Sequence, residues 1–311
     1  MSTRILITGG LGLIGSEIAD QAVSRGDHVT IVDDGRASVV PYVEGAQNVE
    51  QSIQSYGGTE PFDVVIHAAA PVGPVAIIGQ DVLVEMFYST LAACELARRL
   101  SCRLIVFSSS EVYGTAAPGE SLVVPDDWSH RTEYGVGKIV TEQIARRHYS
   151  ESGLPTAIIR PWNVTGVRQS GSKGFVFPRM AAQAIGGRPI TVYTPGYQQR
   201  AFMDVADMAA RTLDLIDAED PREWSAVPLD AATPTNAVRM VDLAMMFADH
   251  DLSRTGFARI VDPVEEHGPQ FREAAAGTKL PMDDPAMAGT STLEEMVNAA
   301  MRSAVGAPVA A

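Results

Sequence analysis

Arg4 to Thr8 (RILIT) is a short apolar run that breaks into GGLGLIG, with Gly9, Gly12 and Gly15 at three-residue spacing. An amphipathic stretch, Ser16 to Arg25, follows, and a second apolar run, His28 to Val32, ends in Asp33 and Asp34. Few folds accept that order. It predicts strand, glycine turn, helix, strand and acid, the βαβ unit that binds a dinucleotide. The glycines let the backbone approach a pyrophosphate at the helix N-terminus, where unpaired amides and the helix dipole favour an anion. Gly9, Gly12, Leu13 and Ile14 are therefore expected to line the cofactor site. Asp33, eighteen residues after Gly15, is placed to accept hydrogen bonds from the adenosine ribose. Two carboxylates there would repel a 2′-phosphate, which predicts NAD rather than NADP; Arg36, just past the strand, is the residue that argues the other way.

The alternation continues beyond this unit. Asp63 to Ile66 reads as a strand running into HAAAPVGP, with Ala68 and Ala69 expected at the cofactor. Asp81 to Arg98 reads as a helix, Arg103 to Phe107 as a strand, Glu133 to Ser150 as a helix, and Thr156 to Arg160 as a strand closed by Pro161. Strands separated by helical crossovers predict an α/β fold with a doubly wound parallel sheet of Rossmann type. From Trp162 the texture changes to Gly-, Pro- and Arg-rich loops, with a helix near Pro178 to Ile185 and a short strand at Ile190 to Tyr193. The expected organisation is a cofactor domain over residues 1–161, to which 201–231 return. Residues 162–200 and 232–311 then form a smaller C-terminal substrate lobe over the carboxyl ends of the strands.

Inside this frame stands a chemical cluster. Tyr134 and Lys138 are four residues apart on a predicted helix, so phenol and ammonium share one face. The lysine charge is expected to lower the tyrosine pKa and make a phenolate available. A serine from SSSEVYG (108–114) completes a group suited to deprotonating an alcohol as hydride leaves its carbon.

The charge distribution bounds the partners. The net charge of −14 argues against a nucleic-acid binder. Residues 131–200 hold ten Lys or Arg against three acids, whereas 201–311 hold eight against nineteen. A basic middle in an acidic chain predicts a local anion site such as a diphosphate. Cys94 and Cys102 form no metal or disulfide pattern, and the six histidines show no metal-ligand spacing, so no metal is expected. The start reads as a buried strand, and no apolar run reaches the roughly 18 residues that span a membrane; a cytoplasmic protein is expected.

These residues resemble the extended short-chain dehydrogenases/reductases that modify nucleotide sugars, over roughly residues 3–305. The resemblance is carried by TGGLGLIG, FDVVIHAAA (62–70), SSSEVYG, Tyr134/Lys138, RPWNVTG (160–166), GRPITVY (187–193) and RAFMDVADMA (200–209). It implies bound NAD, a nucleotide-sugar substrate and a homodimer built on the helices at 81–98 and 133–150. It implies Ser109, Tyr134 and Lys138 as the catalytic group that oxidises carbon 4 of the sugar. Asn163, Phe177, Tyr193 and Arg200 are implied as substrate contacts, Arg200 on the diphosphate, with Arg272 as a looser match and Arg168 and Arg179 as further candidates for the diphosphate.

The 4-keto sugar then has three fates: epimerisation, loss of a carbon-5 carboxylate as carbon dioxide, or 4,6-dehydration. Dehydratases of this family usually carry Asp-Glu before Val-Tyr-Gly. Ser110 replaces that acid here, which disfavours dehydration, and Ser110-Glu111 resembles the UDP-glucuronate decarboxylases. A 4-epimerase is the alternative, with Glu111 as a structural carboxylate. An alternative of another class is a regulator that binds NAD without chemistry, suggested by Met86, where relatives usually carry asparagine, and by the unusual segment KLPMDDPAMAGTST (279–292).

Overall fold

Ile5, Leu6 and Ile7 have no exposed surface, so the first strand must be covered on both faces, and the sheet is built around it. The computed structural model describes residues 2–73, 81–114, 130–169, 174–193, 195–220, 222–250, 258–261, 280–281 and 285–306. Its sheet comprises β1 (Arg4–Thr8), β2 (His28–Asp33), β3 (Gln47–Glu50), β4 (Val64–His67), β5 (Arg103–Phe107) and β6 (Thr156–Pro161), joined by strands Ser225–Ala232 and Met287–Ala288. The spatial order is 287–288, 225–232, β6, β5, β4, β1, β2, β3, and every pairing is parallel. The order reverses between β1 and β4. Ligands of such sheets bind in the crevice at the strand ends beside that reversal.

Alternation along the strands sorts the helices. Ile5, Ile7 and Ile31 face α1 (Leu13–Ser24), whose Ile18, Ala19 and Ala22 pack there with later residues Met208, Leu213 and Ile216. Leu6, Val65 and Leu104 face α2 (Val82–Leu100) and α3 (His130–Ser152), through Cys94, Ala97 and Ala145. A second core lies outside the sheet. There α4 (Val176–Ile185) packs Phe177 and Met180 against Leu243 and Phe247 of a helix at Met240–His250 and against Met296 of a helix at Leu293–Gly306. In sequence between α4 and the Met240–His250 helix, α5 (Val205–Asp217) returns to the first face of the sheet beside α1.

Three features differ from the sequence expectation. The first helix starts at Leu13 rather than Ser16, with Gly12 as its N-cap, so the glycine turn runs directly into helix. β3 carries polar residues at the sheet edge, where only Val49 packs inward, and so lacks the apolar run that marks a strand. Met287–Ala288, inside the stretch assigned to the substrate lobe, pairs with Ala231 and Ala232 and extends the opposite edge.

Candidate active site

The turn between β1 and α1 is shaped for close approach. Gly9 has φ +70°, and a Cβ there would lie 2.6 Å from the backbone of Ala69. A Cβ on Gly15 would stand 2.3 Å from the Gly9 carbonyl oxygen. Neither position accepts a side chain without moving backbone. Gly12 caps α1 with no side-chain bond, leaving the first amides of the helix to face the cleft. Gly9, Gly12, Leu13 and Ile14 line this end of a cleft of about 950 Å3, together with Ala68 and Ala69 after β4.

Asp33, at the end of β2, lines the same cleft. Its Oδ2 accepts from the Leu11 amide at 3.0 Å, and its Oδ1 accepts from the Gly35 amide at 2.9 Å and from Ser38 Oγ at 3.2 Å. A carboxylate has about four acceptor positions, so capacity remains for a ribose hydroxyl. Arg36 pairs with Asp34 at 2.7 Å and with Glu85 at 3.0 Å. Burial works against the Asp34 charge, yet the Arg36 hydrogen bonds and cation outweigh it and hold its pKa below the usual carboxylate range. A 2′-phosphate would meet three carboxylates and an arginine already committed to two of them. These features fit NAD and disfavour its phosphorylated form.

The catalytic candidates meet at the far end of β5. Ser109 caps the short turn Ser110–Tyr113, its Oγ accepting from the Glu111 amide at 3.2 Å. The same side chain is close enough to the Tyr134 phenol to oppose the rise of its pKa. Lys138 is buried and donates from Nζ to the Phe107 carbonyl at 2.8 Å, with Nζ 5.7 Å from the centre of the Tyr134 ring. Met86 packs beside Tyr134 and under Gly137, where a Cβ would meet its sulfur at 2.7 Å.

One electrostatic expectation is corrected. Tyr134 is not lowered in this arrangement: burial raises its pKa well above the ordinary phenol value, Ser109 offsets part of this, and the Glu111 charge adds to it. Lys138 is itself brought down to about 8 by burial, which Glu142 opposes. Desolvation penalises both charged forms, and the ammonium gives one of its three donors to a carbonyl. His67 is likewise buried and brought down to about 3, first by burial and then by the Lys138 charge; its Nδ1 lies 2.7 Å from Thr8 Oγ1, a structural bond.

Beneath the serine turn lies a buried polar network. Ser108 donates to Glu142 at 2.6 Å, and Arg160 grips the same carboxylate with two bonds of 2.7 Å. Arg160 also donates to the Tyr113 phenol at 2.7 Å, and Tyr113 and Trp162 donate to Asp230 at 2.7 and 2.9 Å. The turn is thereby fixed from below, and of these side chains only Glu142 and Asp230 lie outside the motifs that the sequence displays. The spacing of Glu142, one further turn past Lys138 on the same helix face, was the available signal.

At the sugar end, Glu111 pairs with Arg131 at 2.8 Å, a residue that the sequence reading counted only as charge. Burial first, and then the Arg131 cation, bring Arg200 down to about 10, while Glu111 pulls the other way. Asn163 holds φ +39°, a left-handed conformation that asparagine tolerates, and donates to the Ala201 carbonyl at 2.9 Å. Arg179 stacks 4.7 Å over the Tyr193 ring and donates to the Thr191 carbonyl at 2.9 Å, so its guanidinium is engaged within the protein. Ser110, Glu111, Asn163, Phe177, Arg179, Tyr193 and Arg200 all line the cleft with Tyr134 and Lys138. Arg272 lies outside the described residues. Among the described residues there is no group of histidine, cysteine or acidic side chains able to hold a metal ion.

A doubly wound sheet with a glycine-rich turn at its switch point and a Ser-Tyr-Lys cluster facing the same cleft defines a dinucleotide-binding protein of the dehydrogenase/reductase class. More specifically, the chain belongs to the NAD dependent epimerase/dehydratase family, the match covering residues 5–225. It is 32% identical over 230 residues to UDP-glucuronic acid decarboxylase 1 of Danio rerio, covering 69% of this chain and 54% of the relative. It is 32% identical over 247 residues to the Xenopus tropicalis protein of the same name, covering 72% and 58%. The chain thus spans little more than half the length of these curated relatives. Among solved structures it is similar to an epimerase from Methanothermobacter thermautotrophicus, with a TM-score of 0.81 at 19% identity over 97% of this chain and 92% of that one. The UDP-glucuronic acid 4-epimerase of Bacillus cereus, solved with NAD, aligns with a TM-score of 0.79 at 19% identity over 97% and 98%. At such identities the structural likeness speaks for the fold.

Proposed function

We propose that the protein oxidises carbon 4 of a nucleotide-diphosphate sugar with bound NAD and then decarboxylates a hexuronate of the UDP-glucuronate type. The observation that carries this reading is the convergence of Ser109, Tyr134 and Lys138 on one cleft with the Glu111–Arg131 pair beside the phenol. Bound NAD, held by the glycine turn and Asp33, would supply the hydride acceptor and, while oxidised, a positive charge that would favour the Tyr134 phenolate that burial alone opposes. Tyr134 takes the proton from the carbon-4 hydroxyl, Ser109 orients that hydroxyl, and Lys138 holds the cofactor ribose beside them. The basic segment supplies Arg200 for the diphosphate, and the second core, with Phe177 and Tyr193, carries the nucleotide. The ketone formed at carbon 4 lies β to the carbon-6 carboxylate and accepts the electrons released with carbon dioxide.

The test is incubation with NAD and a panel of sugar nucleotides, with products read by mass. Loss of 44 mass units from a hexuronate, the mass of carbon dioxide, supports decarboxylation. An unchanged mass with inverted sugar stereochemistry makes it a 4-epimerase instead. Tyr134→Phe is expected to slow oxidation on the order of 10³-fold; an unchanged rate would falsify the mechanism.

We also propose a homodimer. Val84, Phe87 and Tyr88 form one exposed stripe on α2, at 52%, 39% and 56% exposure. A second copy of this chain, presenting the same stripe, would cover it. Sedimentation at micromolar concentration showing only monomer would exclude the dimer.

A further inference from the structure

Arg131 stands three residues before Tyr134 on α3, so guanidinium and phenol leave the helix on one face. Its Nε donates to Glu111 Oε2 at 2.8 Å and its Nη2 to Oε1 at 3.4 Å, a fork on a carboxylate. Both side chains are about a quarter exposed, at 27% and 25%, and both line the cleft. Glu111 is close enough to bear on the titration of Tyr134, and Arg131 on that of Arg200. The pair therefore sits between the oxidising phenol and the basic residue assigned to the diphosphate.

We propose that Arg131 is a positioning residue that holds Glu111 ionised and directed at the acid end of the sugar, and so decides the fate of the 4-keto intermediate. The proposal rests on the 4-keto reading above and deepens it by specifying an acidic sugar. In a 4-keto hexuronate the bond between carbons 5 and 6 breaks, its electron pair moves towards the carbon-4 ketone as an enolate, and carbon dioxide leaves. Carbon 5 then takes a proton from solvent. Hydride returns to carbon 4, and Tyr134 returns its proton to the oxygen on that carbon. No oxidant beyond the cofactor is needed.

Two carboxylates in one site tend to share a proton rather than both ionise. The Arg131 cation prevents this by holding the charge on Glu111. The sugar carboxylate then meets a like charge in the bound state, and that repulsion vanishes as the carboxylate becomes neutral carbon dioxide. Only an interaction that differs between bound substrate and transition state accelerates the step, and this one does.

The experiment uses the full chain with NAD and a UDP-hexuronate, comparing wild type with Arg131→Met and Arg131→Lys. Single-turnover NAD reduction reports oxidation, and trapped carbon dioxide reports the later step. Arg131→Met is expected to keep oxidation within about threefold of wild type while carbon dioxide release falls about tenfold to a hundredfold, the range for one charge-assisted hydrogen bond. Free 4-keto sugar should accumulate. The acid limb of carbon dioxide release should move to higher pH, because Glu111 without its cation protonates more readily. Arg131→Lys, a point charge without the fork, should restore part of the loss and serves if the methionine variant fails to bind NAD. Equal losses in both steps, or no change in either, would overturn the role of Arg131 alone. A wild-type protein whose NAD is reduced by none of the sugar nucleotides tested would overturn the functional reading as well.

Discussion

The two ends of the catalytic cleft are built differently. At the oxidising end the polar groups beneath the reacting hydroxyls are largely buried and tied: Lys138 to a carbonyl, Ser108 and Arg160 to Glu142, and Tyr113 and Trp162 to Asp230. At the acid end, Glu111 and Arg131 keep about a quarter of their surface and meet in a fork of two bonds, at 2.8 and 3.4 Å. A buried network is close to all-or-none, since removing one member leaves its partner desolvated and unpaired. A partly exposed pair can change with less cost to folding. The difference teaches where variation is tolerated: the shared oxidation rests on the part that cannot be altered piecemeal, and substrate choice on the part that can.

The largest effect that would break this contrast comes from the turn serving both ends. Gly15→Ala puts a Cβ 2.3 Å from the Gly9 carbonyl, so the turn must shift. Overpacking of this kind costs about 1–3 kcal/mol of stability. The expected result is NAD affinity lowered at least about tenfold, a loss of roughly 1.4 kcal/mol in binding, measured by calorimetric titration. Oxidation and carbon dioxide release should fall together, unlike the selective loss expected for Arg131→Met. Wild-type NAD affinity in Gly15→Ala would mean that the turn does not hold the pyrophosphate.

Much of the oxidising end was legible in the sequence because its chemistry is local. Gly9 to Gly15 sit in one turn, and Tyr134 and Lys138 in one turn of one helix, so spacing alone brings them together. What stayed hidden depends on chain crossings. Glu111 and Arg131 are twenty residues apart, on a turn and a helix that meet only when β5 and α3 pack. Asp230 reaches Tyr113 across 117 residues, because Ser225–Ala232 adds beside β6. That strand escaped notice because Pro228 interrupts its pattern and its register shifts between Ser225 and Pro228. The edges β3 and Met287–Ala288 are short and, in β3, mostly polar, so neither shows a strand period. The lowering of Tyr134 by Lys138 was expected from charge alone; burial, which no spacing reveals, decided the opposite.

A titration of stability against pH sharpens the contrast by measuring what burial costs the oxidising end. Lys138 falls from an ordinary 10.5 to about 8 in the folded protein, with burial the leading cause. Between those values the unfolded chain binds a proton that the folded one has released, so stability rises with pH across that window. Below about 8 both states carry the ammonium, and the burial penalty is present in full. Above 10.5 both are neutral and the penalty is gone. Denaturant titrations of the wild type and Lys138→Met at several pH values from 7 to 11 are expected to differ by a rise present only in the wild type. Exposed groups that titrate in the same range contribute equally to both proteins and cancel. Parallel curves would mean that the Lys138 ammonium is solvated in the folded state, and the oxidising end would then be as open to water as the acid end.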